Sequence, residues 1–156
     1  MKTVPTLLEW MGGPGRLHEL VTAFYARVPQ DPVLAPVFAR MSPQHTEHVT
    51  AFIAEVFGGA KDYSRSHGGH HAMVLKHAGR ALTETQRQRW MSLLLECADQ
   101  VRLPADPEFR SAFVAYLEWG TRLAVINSQP GAEPGAAAPM PAWGWGETGG
   151  PYIPGS

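Results

Sequence analysis

From Leu17 to Ala124 the apolar residues recur at intervals of three and four, and no sustained alternation of period two appears. That spacing lays apolar side chains along one face of an α-helix and would scatter them over both faces of a strand. The body of the chain is therefore predicted to be all-α. Leu17, Leu20, Val21, Phe24, Tyr25 and Val28 make the first stripe, stopped at Pro29 and followed by the short Pro32 to Met41 segment, which reads as a turn of helix and a corner. Ser42 with Pro43 is expected to open the next helix. Its inner face reads His45, Val49, Phe52, Ile53, Val56 and Phe57, and Gly58-Gly59 should end it.

Ala60 to Gly69 is polar and reads as a loop, with only a short helix over Ala72 to Ala78 behind it. Thr83 and Gln86 make a capping box ahead of the stripe Trp90, Leu93, Leu94, Cys97 and Val101. Asp106-Pro107 opens the last helix, whose stripe runs Phe109, Phe113, Tyr116, Leu117, Gly120, Leu123 and Ala124. The expectation is four substantial helices and two short ones.

Residues 129 to 156 differ in kind. Six Pro and seven Gly fall among them, and Glu133 and Glu147 are the only charges. So few branched aliphatics cannot offset the ordering entropy of the segment alone. The division is thus a domain over 1–128 and a Pro/Gly/Trp-rich tail over 129–156. Trp143, Trp145 and Tyr152 leave two readings open for that tail: low order, or docking of its rings on the body or a partner.

With 13 basic and 14 acidic residues in 156, the chain lacks the cationic excess that favours nucleic acid or anionic lipid. No window holds 18 uncharged apolar residues, so no membrane span is expected. The single cysteine, Cys97, has no partner for an intrachain disulfide, and the first fifteen residues lack the apolar core of a signal peptide. The expected compartment is cytoplasmic.

Seven histidines and five tryptophans carry the functional information. A helical core does not need the polar atoms of Tyr25, His45 and Trp90, since each must find a partner when buried or cost about 1 to 3 kcal/mol. Three such residues on three apolar stripes point to a polar ligand in an apolar pocket. The run His67-Gly68-Gly69-His70-His71 invites a zinc, nickel or copper reading, but it lacks neighbouring Cys or carboxylate spacing, and a solvated loop is the simpler account.

The series Phe24-Tyr25, Asp31-Pro32 with Leu34 and Phe38, Phe57-Gly58-Gly59, Tyr63-Ser64, Gly69-His70, His77, Trp90 and Tyr116-Leu117-Glu118 resembles the group II truncated haemoglobins. It spans Met11 to Ser128, and the 13-residue interval from His77 to Trp90 is its most specific element. The resemblance implies a truncated-globin two-over-two helical sandwich around one haem b. It implies His77 as axial iron ligand through Nε2, with Lys76 or Tyr63 near the propionates and Phe38, Val49, Phe52 and Met73 in the cofactor wall. Tyr25, His45 and Trp90 would be the distal residues that stabilise ligand. A histidine at position 45 departs from the small side chain often found there, and it is expected to donate to ligand, the alternative being that it binds iron.

The function implied is a haem globin that binds O2, NO, CO or peroxide, with NO dioxygenation or peroxide-dependent oxidation as its chemistry. No flavin or nicotinamide fingerprint is present, so a separate electron-donating reductase is implied. A non-enzymatic gas sensor or oxygen carrier is one alternative, and a haem-free helical interaction module is another. Monomer and homodimer both remain open.

Overall fold

The computed structural model describes residues 3–67, 69–132 and 140–151, the side chains of His67, His70, His71 and Leu75 excepted. Among the described residues the regular structure is helical: α1 Leu7–Met11, α2 Pro14–Arg27, α3 His45–Val56, α4 Asp62–His67, α5 Gly69–His77, α6 Glu84–Gln100 and α7 Pro107–Ser128. The four substantial helices are the expected ones. α2 lies against both α3 and α6, and α7 backs α5 and α6, so two helix pairs are layered on one another. Leu17, Leu20, Phe24, Phe57, Leu93, Phe109 and Phe113 fill the space between them at 1 % exposure or less.

Local chemistry sets most helix ends. The Thr83 hydroxyl accepts from Gln86 N at 3.1 Å while the Gln86 side chain accepts from Thr83 N at 2.9 Å, a closed capping box at the start of α6. Asp106 starts α7 by accepting from Phe109 N at 3.0 Å. Gly58, at φ +99°, turns the chain out of α3, and a Cβ there would sit 2.7 Å from Thr6 Cγ2. Left-handed backbone and close approach both require glycine.

Three features depart from the sequence expectation. Asp62 to His67, inside the expected Ala60–Gly69 loop, is helical. α4 forms there because the buried Glu55 carboxylate accepts from the backbone N of Ser64 at 2.9 Å and from its hydroxyl, and because Tyr63 is wholly buried against Phe52, ring centres 5.0 Å apart. One apolar residue in six gives no periodicity to read. α5 starts at Gly69, earlier than Ala72. α3 starts at His45 because Ser42 and Pro43 form a turn ahead of it, with the Ser42 hydroxyl accepting from Gln44 N at 3.1 Å.

Two charged clamps tie the layers. Arg87 is buried on α6 and reaches Glu84 at 2.5 Å and Glu118 of α7 at 3.3 Å. Asp31 accepts from Val33 N and Leu34 N, each at 3.0 Å, and from Arg89 Nε at 2.5 Å, which fixes the Pro32–Met41 corner to α6. The tail rings Trp143 and Trp145 lie on the body, whereas Tyr152 falls outside the described residues.

Candidate functional site

His77 ends α5, and its Nδ1 lies 2.9 Å from the Met73 carbonyl one turn earlier. A carbonyl only accepts, so Nδ1 carries the proton and donates. Burial holds the imidazole below its usual pKa, against the pull of that hydrogen bond, and keeps it neutral. Nε2 is then an unprotonated lone pair with no hydrogen-bond partner among the described residues. That is the tautomer an axial metal ligand needs, already oriented by its second nitrogen.

Lys76 and His77 at this end of α5 lie within electrostatic reach of His45, at the start of α3. His45, the first residue of α3, is pushed down to about 4 by burial, and then by the charges of Lys76, Arg80, His48 and His77. Its Nε2 lies 2.8 Å from Tyr25 Oη. Burial raises the Tyr25 phenol far above its usual range, so both partners are neutral near pH 7. Around them the rings pack edge to face or tilted: Tyr25 to Phe38 at 5.4 Å, Phe38 to His45 at 5.9 Å, and Phe24 to Tyr25 at 4.9 Å.

Trp90 closes the group from α6, 5.5 Å from Phe24 and half-buried, and its Nε1–H has no acceptor among the described residues. Phe24, Tyr25, Val49, Ile53, Trp90 and Phe113 line an apolar cavity of about 10 Å³, room for about one water.

The other expected residues fall around the same centre. Phe52 packs on Tyr63, and Lys76 Nζ stands 5.7 Å from the Tyr63 ring centre. Lys76 is exposed, where a cofactor carboxylate reaching solvent would meet it, while Tyr63 is enclosed in the core. Met73 packs against the core beside His77 and supplies its carbonyl.

Arg80, Arg89 and Glu55 were not singled out from sequence. Arg80 flanks an open cleft of about 240 Å³ with Pro36, Val37, Leu82 and Gln86; a cation three residues past a helix-ending histidine was the available sign. Asp31 and Arg89 are 58 positions apart, and Glu55 acts through Ser64, so local pattern says nothing of either. Of the His67–His71 run, the side chains of His67, His70 and His71 and all of Gly68 lie outside the described residues. Among the described residues no group of three His, Cys, Asp or Glu side chains forms a metal cage.

A neutral histidine whose Nε2 has no partner among the described residues, within electrostatic reach of an aromatic cluster with three polar side-chain tips, is the donor set that an iron macrocycle held by one imidazole would use. A helical sandwich with that site defines a globin. The family model for bacterial-like globins matches residues 6–119, and the chain belongs to that family.

It is 28 % identical over 117 residues to the group 2 truncated hemoglobin YjbI of Bacillus subtilis (strain 168), covering 75 % of this chain and 86 % of that protein. To the group 1 truncated hemoglobin GlbN of Nostoc sp. (strain MUN 8820) it is 29 % identical over 89 residues, 49 % of this chain and 75 % of that one. Among solved structures, the group II truncated hemoglobin from Bacillus anthracis aligns with TM-score 0.72 and 23 % identity over 80 % of this chain and 93 % of its own. The truncated oxygen-avid haemoglobin from Bacillus subtilis aligns with TM-score 0.69 and 27 % identity, over 78 % and 99 %. The two-over-two fold and the resemblance to group II truncated haemoglobins are borne out. Globins of this kind bind haem and, through it, O2 and related gases. No helix among the described residues is long and apolar enough to cross a membrane.

Proposed function

We propose that this chain binds haem b through His77 Nε2 and holds O2 in a hydrogen-bonding distal pocket for NO dioxygenation or peroxide-dependent oxidation. The carrying observation is the hydrogen-bonded pair Tyr25 Oη and His45 Nε2, set in an apolar ring cluster beside Trp90, whose Nε1–H has no acceptor among the described residues. When bound, haem would supply an iron able to take a diatomic gas and to do one-electron redox chemistry. Everything else is the work of the chain.

His77 Nδ1–H, held by the Met73 carbonyl, fixes the ring so that Nε2 points one way. Trp90 Nε1–H and the Tyr25 hydroxyl, both packed on Phe24, would supply the donors that stabilise the partial negative charge of a polarised gas. His45 spends its Nε2 on Tyr25, which favours neither direct donation to ligand nor iron binding and makes it the residue that orients the Tyr25 proton. Val49, Ile53 and Phe113 keep the adjoining space apolar and exclude water. Lys76 and Arg80 sit at the open edge, suited to the cofactor carboxylates.

Strong retention of gas suits chemistry on the gas better than delivery, and the Bacillus subtilis relative is described as oxygen-avid. The sequence offers no nicotinamide or flavin site, so turnover draws electrons from a separate cytoplasmic reductase. Absorption spectra of the ferric, ferrous and CO forms test haem binding, and steady NO consumption with a reductase tests the reaction. A normal Soret band with no such consumption would assign the chain to sensing or carriage instead.

A further inference from the structure

The carbonyls that end α3 are all accounted for, and one of them is satisfied from far away in sequence. Ile53, Glu55 and Ala54 carbonyls accept from Phe57, Gly58 and Gly59 N at 2.9, 3.2 and 2.8 Å. The Phe57 carbonyl accepts from Leu8 N of α1 at 3.1 Å. The Val56 carbonyl accepts from Trp143 N at 2.8 Å. Terminal helix carbonyls need partners from outside the helix, and a helix end without them frays.

Trp143 is held there by neighbours on both sides. Its ring lies 5.6 Å from Tyr116 and 5.7 Å from Trp119 of α7. Two residues on, Trp145 is buried, donates Nε1–H to the Pro5 carbonyl at 2.8 Å and meets Trp10 edge-on at 6.1 Å. Trp10 in turn donates to Asp106, the residue that caps α7, at 2.9 Å. The segment thus bridges the chain ahead of α1, the end of α3 and the face of α7. It lies past residue 119, where the match to the globin family stops.

We propose that Met140–Pro151 is an intrachain strap that completes the C-terminal end of α3, and that its attachment sets how readily that end of α3 opens. α3 carries His45 and Val49, which join the Tyr25–Trp90 cluster, and Phe52, which packs on Tyr63, so a frayed α3 loosens that wall. Detaching the strap speeds local opening without global unfolding. The consequence for haem residence rests on the haem reading above; the consequence for α3 does not.

The test compares the full-length protein with Trp145→Ala and with Trp145→Phe, which keeps an aromatic ring but loses the indole donor. Amide hydrogen exchange is read at Trp143, at Phe57, Gly58 and Gly59, and at Leu94 in α6 as a control, together with haem transfer from the holoprotein to an apomyoglobin acceptor. Exchange at Trp143 and at residues 57–59 should rise by roughly fivefold or more, the scale of one lost hydrogen bond, with Leu94 unchanged and haem transfer faster. Trp145→Phe should move the same amides less. Free exchange at Trp143 with residues 57–59 unchanged would overturn the proposal, and so would a Trp143 amide still protected in Trp145→Ala. Should residues 57–59 respond while the wild-type chain takes up no haem, the strap stands and the haem assignment falls.

Discussion

Tyr25 Oη and His45 Nε2 are 2.8 Å apart, and one hydrogen is shared between them. If His45 carries its proton on Nε2, it donates to the phenol oxygen and the Tyr25 O–H is free to donate to ligand. If the proton sits on Nδ1, Tyr25 donates to His45 and presents only lone pairs. The two residues therefore act as one donor whose direction is set by a tautomer. A double-mutant cycle checks this: His45→Ala and Tyr25→Phe should each speed O2 dissociation, and the double variant should fall short of the product of the two effects. Independent, multiplicative effects would show that His45 acts apart from Tyr25.

Trp90→Phe keeps the ring against Phe24 and removes the Nε1–H. O2 dissociation should quicken by roughly tenfold, the equivalent of about 1 to 1.5 kcal/mol, because a neutral donor of that strength is lost. CO release should change less, since CO draws less negative charge from the iron. Stopped-flow displacement with both gases decides it, and equal changes would point to steric gating.

His77→Ala removes the only imidazole held by the Met73 carbonyl. Haem retention should fall and the melting temperature with it. Ligand at 1,000 times its dissociation constant stabilises the folded state by about 4.1 kcal/mol, which is the scale of what is at stake. Full haem occupancy with an unaltered Soret band in this variant would dismiss the ligand assignment.

Acid should destabilise the fold before the carboxylates titrate. His45 is held to about 4 by burial and by the cationic neighbours Lys76, Arg80, His48 and His77, with Tyr25 as its neutral partner. Between its ordinary pKa of about 6.5 and 4, the unfolded chain binds a proton that the folded chain does not, so stability rises with pH across that window. It is complete above pH 6.5 and lost as pH falls toward 4. Urea unfolding at a series of pH values should show this slope, and His45→Gln should flatten it. A slope unchanged by that substitution would place the acid sensitivity elsewhere.

Helices with a long apolar stripe and a side-chain cap were legible in the sequence, α6 and α7 best of all, because their period and their caps at Thr83 and Asp106 are local. α4 was hidden because it is held by Glu55 from outside its own span, and α1 because five residues give no period. At the site, residue types on apolar stripes named Tyr25, His45 and Trp90, and the structure brings them to one cluster. What sequence cannot carry is the partner: that His45 meets Tyr25, that Asp31 meets Arg89 across 58 positions, and that Trp143 reaches Val56 are products of packing.

Arg87 is enclosed between Glu84 and Glu118, its side chain only 4 % exposed. Removing the Glu118 carboxylate alone leaves a buried guanidinium with a weakened counter-charge, and removing Arg87 alone sets two carboxylates near one another. Either single step is costly, whereas replacing the whole group by matched apolar side chains is often tolerated. Positions 87 and 118 are thus energetically coupled: a charge-removing substitution at one is best tolerated when the other changes with it.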